Sequence, residues 1–423
     1  MANKNKKIGI EFLLESLFFL FFPIAVIPKM VQLGIYIFAC VLMISHSRKV
    51  KIDTFSMLIF IYLGVYGISI FRRLWIDENI ALERIVSTGY LYILWIVATI
   101  LYLYFLHYDF SFDKLTKAAF INVFVMFMLA VIAILHSKIY GYPKNISIFG
   151  SDLFYWEWTS LRFEGFLDYP TLVTAFEILL YPWASMYVRR RFTKRRFLSL
   201  AVFTVMGFLP IALCRSRTGY LLYWVPVLIL PLMGIVAKIK RKQIKGFVIF
   251  CAVVAGLFCI FNLELCITLV EKLLLMREGS QFSRSVIYSE TWLKIKEYPF
   301  LGYGIKVKSS WDLYPLGSHS SYLGFLFKSG LIGTSILLVA LIYKLRDMYR
   351  VSVTAKSVYT SWIIISVFCV HAYFALEDMD GVSWLLCMWF AILGIVGNKN
   401  FKECSWEQYE DKTNEQQNAI CNR

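Results

Sequence analysis

Long apolar runs, one after another, are what most constrains this chain. Twelve stretches approach the ~20 mostly apolar residues that a spanning helix needs. They lie at 10–28, 30–45, 54–71, 86–106, 118–136, 171–188, 197–213, 218–237, 246–263, 320–343, 357–374 and 382–397. In lipid the backbone of such a run has no water to bond, so it must close its own hydrogen bonds as a helix. The expected fold class is therefore an all-α integral membrane protein. It has about twelve transmembrane helices and a long extracytoplasmic loop, 264–318, before the tenth. Composition agrees. The 423 residues are 59% hydrophobic and 17% charged, whereas a soluble domain carries about 25% charge.

The net charge of +16 would point to nucleic acid in a soluble protein. Here the basic residues cluster between apolar runs and report topology instead, so no nucleic-acid partner is expected. With the N-terminus inside, the inner segments 1–9, 46–53, 107–117, 189–196, 238–245, 344–356 and 398–423 hold 27 of the 44 Lys and Arg residues. The short runs Arg189–Arg196 and Lys238–Lys245 carry most weight, because short loops dominate this bias. Both termini are then cytoplasmic. The first run follows Lys4, Lys6 and Lys7, contains Pro23 and lacks a small-residue cleavage site, so it reads as an uncleaved span. The nine cysteines show no C-x-x-C spacing, and most lie inside apolar runs as small hydrophobes. The chain reads as one polytopic membrane domain, 1–397, with a polar cytoplasmic tail, 398–423, and no internal repeat.

This topology gathers Arg162, Arg215, Arg217, Arg284 and His319 on the outer side. Arg215 and Arg217 stand at the junction of two spans, where a guanidinium is costly unless it meets water, a partner or an anion. Arginine is also shaped for bidentate phosphate binding. The plainer reading is a snorkelling side chain. His319 precedes the tenth run. It is a candidate general base, or else a cap or a packed ring. Arg284 in a polar loop could simply be solvated, and Arg162 could pair with Glu164 or Asp168. Glu177, inside the sixth run, is a functional candidate by position or a carboxyl bonded to a neighbouring helix. Asp378-Met379-Asp380 reads as polar punctuation in a tight turn rather than a metal site. The 283–297 segment, with Val286, Trp292, Leu293 and Ile295, reads as a short helix lying on the bundle.

Three segments resemble a known family, the O-antigen ligase and Wzy-type polysaccharide polymerase superfamily of bacterial envelope proteins. SRTGYLL (Ser216–Leu222) resembles the opening of one of its spans. Arg284 with the following helix and PFLGYG (Pro299–Gly304) resembles its Arg…Pro-x-Leu-Gly-x-Gly segment. HSSYLGFLFKSGLIG (His319–Gly333) resembles its His-x-x-x-Leu…Gly-Leu-Ile-Gly segment. The Arg162-x-x-Gly loop matches more weakly. Where the family often has Asn after the histidine, this chain has Ser320.

The resemblance implies an integral-membrane glycosyltransferase of the GT-C type at the outer face of the bacterial plasma membrane. It implies a polyprenyl-diphosphate-linked oligosaccharide as donor, transfer with inversion to a sugar hydroxyl, and no metal or other cofactor. Arg217, Arg284 and His319 would be catalytic, and Arg215 and Arg162 substrate-binding. Membrane lipid surrounds the enzyme, and a flippase and chain-length regulators are expected partners. Repeat-unit polymerisation is the favoured reaction. Transfer of finished glycan to a terminal acceptor is the alternative. A transporter is disfavoured, because it predicts paired half-repeats and polar groups near the midplane.

Overall fold

The computed structural model describes residues 22–46, 51–77, 80–108, 111–140, 147–148, 151–152, 154–157, 160–167, 169–192, 196–238, 278–310, 315–354, 358–378, 383–399 and 401. A short helical turn, Phe22–Ala25, precedes α1 (Lys29–His46). Then come α2 (Thr54–Ile76), α3 (Leu82–His107) and α4 (Phe112–Tyr140). Two small antiparallel hairpins follow, β1 (Ser147–Ile148) with β2 (Ser151–Asp152) and β3 (Phe154–Glu157) with β4 (Ser160–Phe163). The chain continues through α5 (Pro170–Arg191), α6 (Arg196–Cys214), α7 (Arg217–Lys238) and α8 (Glu278–Glu297). It ends in α9 (Ser321–Thr354), α10 (Val358–Phe374) and α11 (Ser383–Gly397).

The expected spans from 30–45 to 218–237 and from 320–343 to 382–397 all fall on helices. The span at 246–263, and most of that at 10–28, lies outside the described residues, as does the tail beyond Phe401. Among the described residues five helices are long and apolar enough to cross a membrane: α2, α3, α4, α5 and α9. The short helix expected at 283–297 is present as α8.

Local chemistry explains several boundaries. Asp53 caps α2: its side chain accepts from the Ser56 amide, and the Ser56 hydroxyl accepts in return from the Asp53 amide. That reciprocal pair satisfies two donors at the helix start. Pro170 opens α5, where its fixed φ fits the first turn and its missing N–H costs nothing.

Two aromatic nodes hold the bundle. Trp95 of α3 meets Tyr62 of α2, Phe325 of α9 and Phe390 of α11 at centroid distances of 5.3, 5.7 and 5.5 Å. Tyr181 of α5 meets Phe203 of α6, Tyr223 of α7 and Trp362 of α10 at 5.8, 5.3 and 6.0 Å. Offset and edge-on pairs of this kind add to packing beyond the area they bury. Lipid offers no hydrophobic drive for helix association, so such packing is the main cohesive term.

The tenth span departs from the expected single run. Gly330, with φ 61 and ψ −168, breaks α9 into a short first piece and a long second piece. A break in a membrane helix exposes carbonyls on one side and amides on the other. The Pro299–Gly304 segment meets both. The amides of Tyr303 and Gly304 donate to the carbonyls of Phe327 and Lys328 at 2.6 and 2.9 Å. The amides of Leu331 and Ile332 donate to the carbonyls of Pro299 and Phe300 at 2.8 and 3.1 Å. Two glycines make this interlock possible. A Cβ on Gly302 would stand 2.4 Å from the Gly330 nitrogen, and one on Gly330 would stand 2.3 Å from the Phe300 carbonyl oxygen. The end of α2 backs the plug. The Ser69 hydroxyl donates to the Leu301 carbonyl and Arg72 to that of Gly302. Arg73 lies over the Tyr303 ring at 4.0 Å.

The polar side chains sort to the two ends of the bundle. At one end Tyr102 donates to Asp53, Lys344 donates to Tyr102, and Asn398 donates to the carbonyls of Phe105 and Tyr108. Arg190 approaches Asp113 there at 3.5 Å. These residues belong to, or flank, the segments assigned to the inner side by charge. The opposite end carries the plug, the β3–β4 hairpin and the arginines described next.

Candidate functional site

The corner between α6 and α7 is built by Cys214, Arg215 and Ser216. Arg215 follows the last residue of α6 with φ 51, the left-handed cap position that glycine usually fills. Its side chain is exposed. Ser216 then caps α7: its hydroxyl accepts from the Gly219 amide at 3.1 Å. Arg217 is the first residue of α7 and is half-buried. A cation at a helix N-terminus opposes the macrodipole. Both the guanidinium and the positive end of the helix dipole there favour an arriving anion. Arg162 of β4 is buried and donates from Nε to the Cys214 carbonyl at 2.8 Å. It thereby pins the hairpin to the end of α6, one residue from Arg215.

Arg284, on α8, pairs with Glu377 beyond the end of α10 at 2.8 Å. Burial works against its charge, but the Glu377 carboxylate outweighs this and holds the guanidinium pKa above its ordinary value. One turn along α8, the Tyr288 hydroxyl donates to the His319 carbonyl at 2.8 Å. Burial raises the pKa of that phenol above its ordinary value, Arg284 opposing. Tyr288 is therefore a neutral donor at any physiological pH.

His319 is the second residue with an unusual backbone. Among the described residues only Arg215 and His319 are non-glycine residues with positive φ, His319 at 66. Such conformations cost of order 1–3 kcal/mol and cluster at functional sites. The helix after it starts under tight control. The Ser320 hydroxyl accepts from the Leu323 amide at 3.4 Å. The amide and hydroxyl of Ser321 both donate to the Glu377 carbonyl, at 3.2 and 2.9 Å. Ser320 is thus a helix cap, a position where serine and asparagine serve about equally well.

The pieces connect. Tyr373 of α10 donates to the Thr171 carbonyl, interacts with the Ser216 side chain and lies close to Cys214 and Glu377. A continuous path therefore runs from Arg162 through Cys214, Ser216, Tyr373, Glu377 and Arg284 to Tyr288 and His319. All five residues singled out in the sequence lie at one end of the bundle. Glu377, Tyr288 and Tyr373 were not singled out for this role, and no local signal marks them. The acidic turn was read as punctuation; instead its two described carboxylates each hold a cation, Glu377 with Arg284 and Asp378 with Lys306 at 2.7 Å. Glu177 is buried in α5, against Gly207 of α6, with no hydrogen-bond partner for either carboxylate oxygen among the described residues. Its helical neighbour one turn away, Thr174, touches Cys214 at 4.0 Å.

Residues 201–338 match the family model described as O-antigen ligase. The match takes in Arg215, Arg217, Arg284 and His319, and begins after Arg162. No curated protein matches the chain.

Proposed function

With residues 201–338 in the O-antigen ligase family and the chain a multi-pass membrane protein, we propose that it is a metal-independent, inverting glycosyltransferase. It extends a polysaccharide by moving glycan from a polyprenyl-diphosphate carrier to a sugar hydroxyl at the outer face of the plasma membrane. The observation that carries this reading is the convergence of Arg162, Arg215, Arg217 and Arg284 with His319 at one bundle end, the two strained residues among them.

The chemistry follows from those groups. Arg217 and Arg284 bind the diphosphate, with Arg215 and Arg162 beside them. Their fixed positive charges stabilise the negative charge that grows on the departing diphosphate as the glycosidic bond breaks. His319 accepts or orients the proton of the attacking hydroxyl, a task suited to imidazole near neutral pH. The hydroxyl oxygen attacks the anomeric carbon from the face opposite the leaving phosphate, so the configuration inverts.

The test is the length of glycan on the carrier lipid in cells carrying Arg217→Ala at normal expression. Loss of long polymer with accumulation of single repeat units is expected. Normal chain lengths would refute the assignment. The family description favours a second reading, transfer of finished glycan to a terminal acceptor. That reaction uses the same donor groups, and in it full-length polymer would accumulate on the carrier instead.

A further inference from the structure

We propose that Glu377 is a positioning residue that joins the two halves of this site. Its carboxylate orients Arg284, and its main-chain carbonyl holds the start of the helix that follows His319. The proposal rests on the reading of Arg284 as a ligand of the donor diphosphate.

Four observations carry it. Glu377 is buried, and its side chain is less exposed than that of Arg284, 7% against 21%. A carboxylate so placed is not a solvated surface charge. Second, a buried ion pair is weak evidence for stability, because desolvation offsets its attraction. Its effect here is to hold a guanidinium on α8 by a group 93 residues away in sequence.

Third, the contact with the carboxylate uses Nη2 of Arg284, and the side chain stays 21% exposed. The plane of the guanidinium is set by that bond while part of the group remains open to a phosphate oxygen. Fourth, the same residue accepts two hydrogen bonds from Ser321 through its carbonyl, two positions after His319. Asp378 repeats the pattern with Lys306, so one turn holds cations from two other segments.

The alternative is that Glu377 merely packs the turn, and the two ideas separate in binding. The full-length protein in detergent is titrated with undecaprenyl diphosphate, and the Kd is compared for wild type, Glu377→Gln, Arg284→Gln and the double variant. If Glu377 acts through Arg284, each single substitution weakens binding about fivefold or more. The double variant is then no weaker than Arg284→Gln alone, because the two effects are one effect. Additive losses, an unchanged Kd in Glu377→Gln, or a tighter Kd would each overturn the proposal. The last would show that the carboxylate competes with the phosphate.

Should Glu377→Gln fail to accumulate, Glu377→Asp keeps the charge but withdraws it by one methylene. The same non-additivity with Arg284→Gln is then required. Unchanged binding in both Arg217→Ala and Arg284→Gln would instead sink the donor-site reading itself.

Discussion

Arg215 shows how a single residue can oppose the helix it ends. Its left-handed backbone costs an L-residue roughly 1–2 kcal/mol, which glycine avoids. Arg215→Gly should therefore raise thermal stability by about 1 kcal/mol. Glycan transfer should fall in the same variant, because the guanidinium is gone. A thermal melt alongside the chain-length assay checks both, and a variant that loses stability would remove strain from the account of this corner. His319 carries the same kind of strain, but is tied through its carbonyl to Tyr288. At this scale the sequence was informative about identity and silent about conformation. Arginines and a histidine gathered at the ends of apolar runs can be read from charge and position. A positive φ cannot, because it follows from how the neighbouring elements meet.

Among the elements, the broken α9 is the most consequential. PFLGYG stood out in the sequence for its resemblance to a segment of the O-antigen ligase and Wzy superfamily. In the fold its backbone fills the gap at Gly330 and is anchored by Ser69 and Arg72 of α2. It shapes the site indirectly, by setting where the first piece of α9, which follows His319, lies. Gly302→Ala should cost more than ~2 kcal/mol, from the strained φ of 72 and the displaced backbone together. Little folded protein should reach the membrane, as measured by fluorescence-detected size exclusion. A normal, monodisperse peak would show that the interlock tolerates a methyl group. The helix ends were legible only in part: Asp53, Pro170 and Ser216 act on their own first turns, but the expected runs 54–71, 118–136 and 320–343 stop short of the observed Thr54–Ile76, Phe112–Tyr140 and Ser321–Thr354. The break was not, since Gly330 stands in an apolar run that reads as continuous; only the distant plug makes a break there tolerable.

For the whole molecule, charge sorting and packing agree on which segments share an end. Asp53, Tyr102, Lys344 and Asn398 gather at one end, Arg284, His319 and Glu377 at the other. If the short basic loops are cytoplasmic, Lys308→Cys should react with a membrane-impermeant maleimide in intact cells. Arg191→Cys should react only after permeabilisation, each judged above the labelling of the unaltered chain. The reverse pattern would invert the topology and move the proposed chemistry to the cytoplasm.

The sequence alone determined the class, the helices and the residue types of the candidate site. Each depends on short-range facts: about 20 apolar residues in a row, a few basic side chains, a cap. Only the tertiary structure decided that Glu377 holds Arg284 across 93 residues, that the plug caps α9, and that Arg215 and His319 bear the strain. Those features exist where distant segments pack. There, burial in a dry environment strongly favours partners for backbone donors and charges.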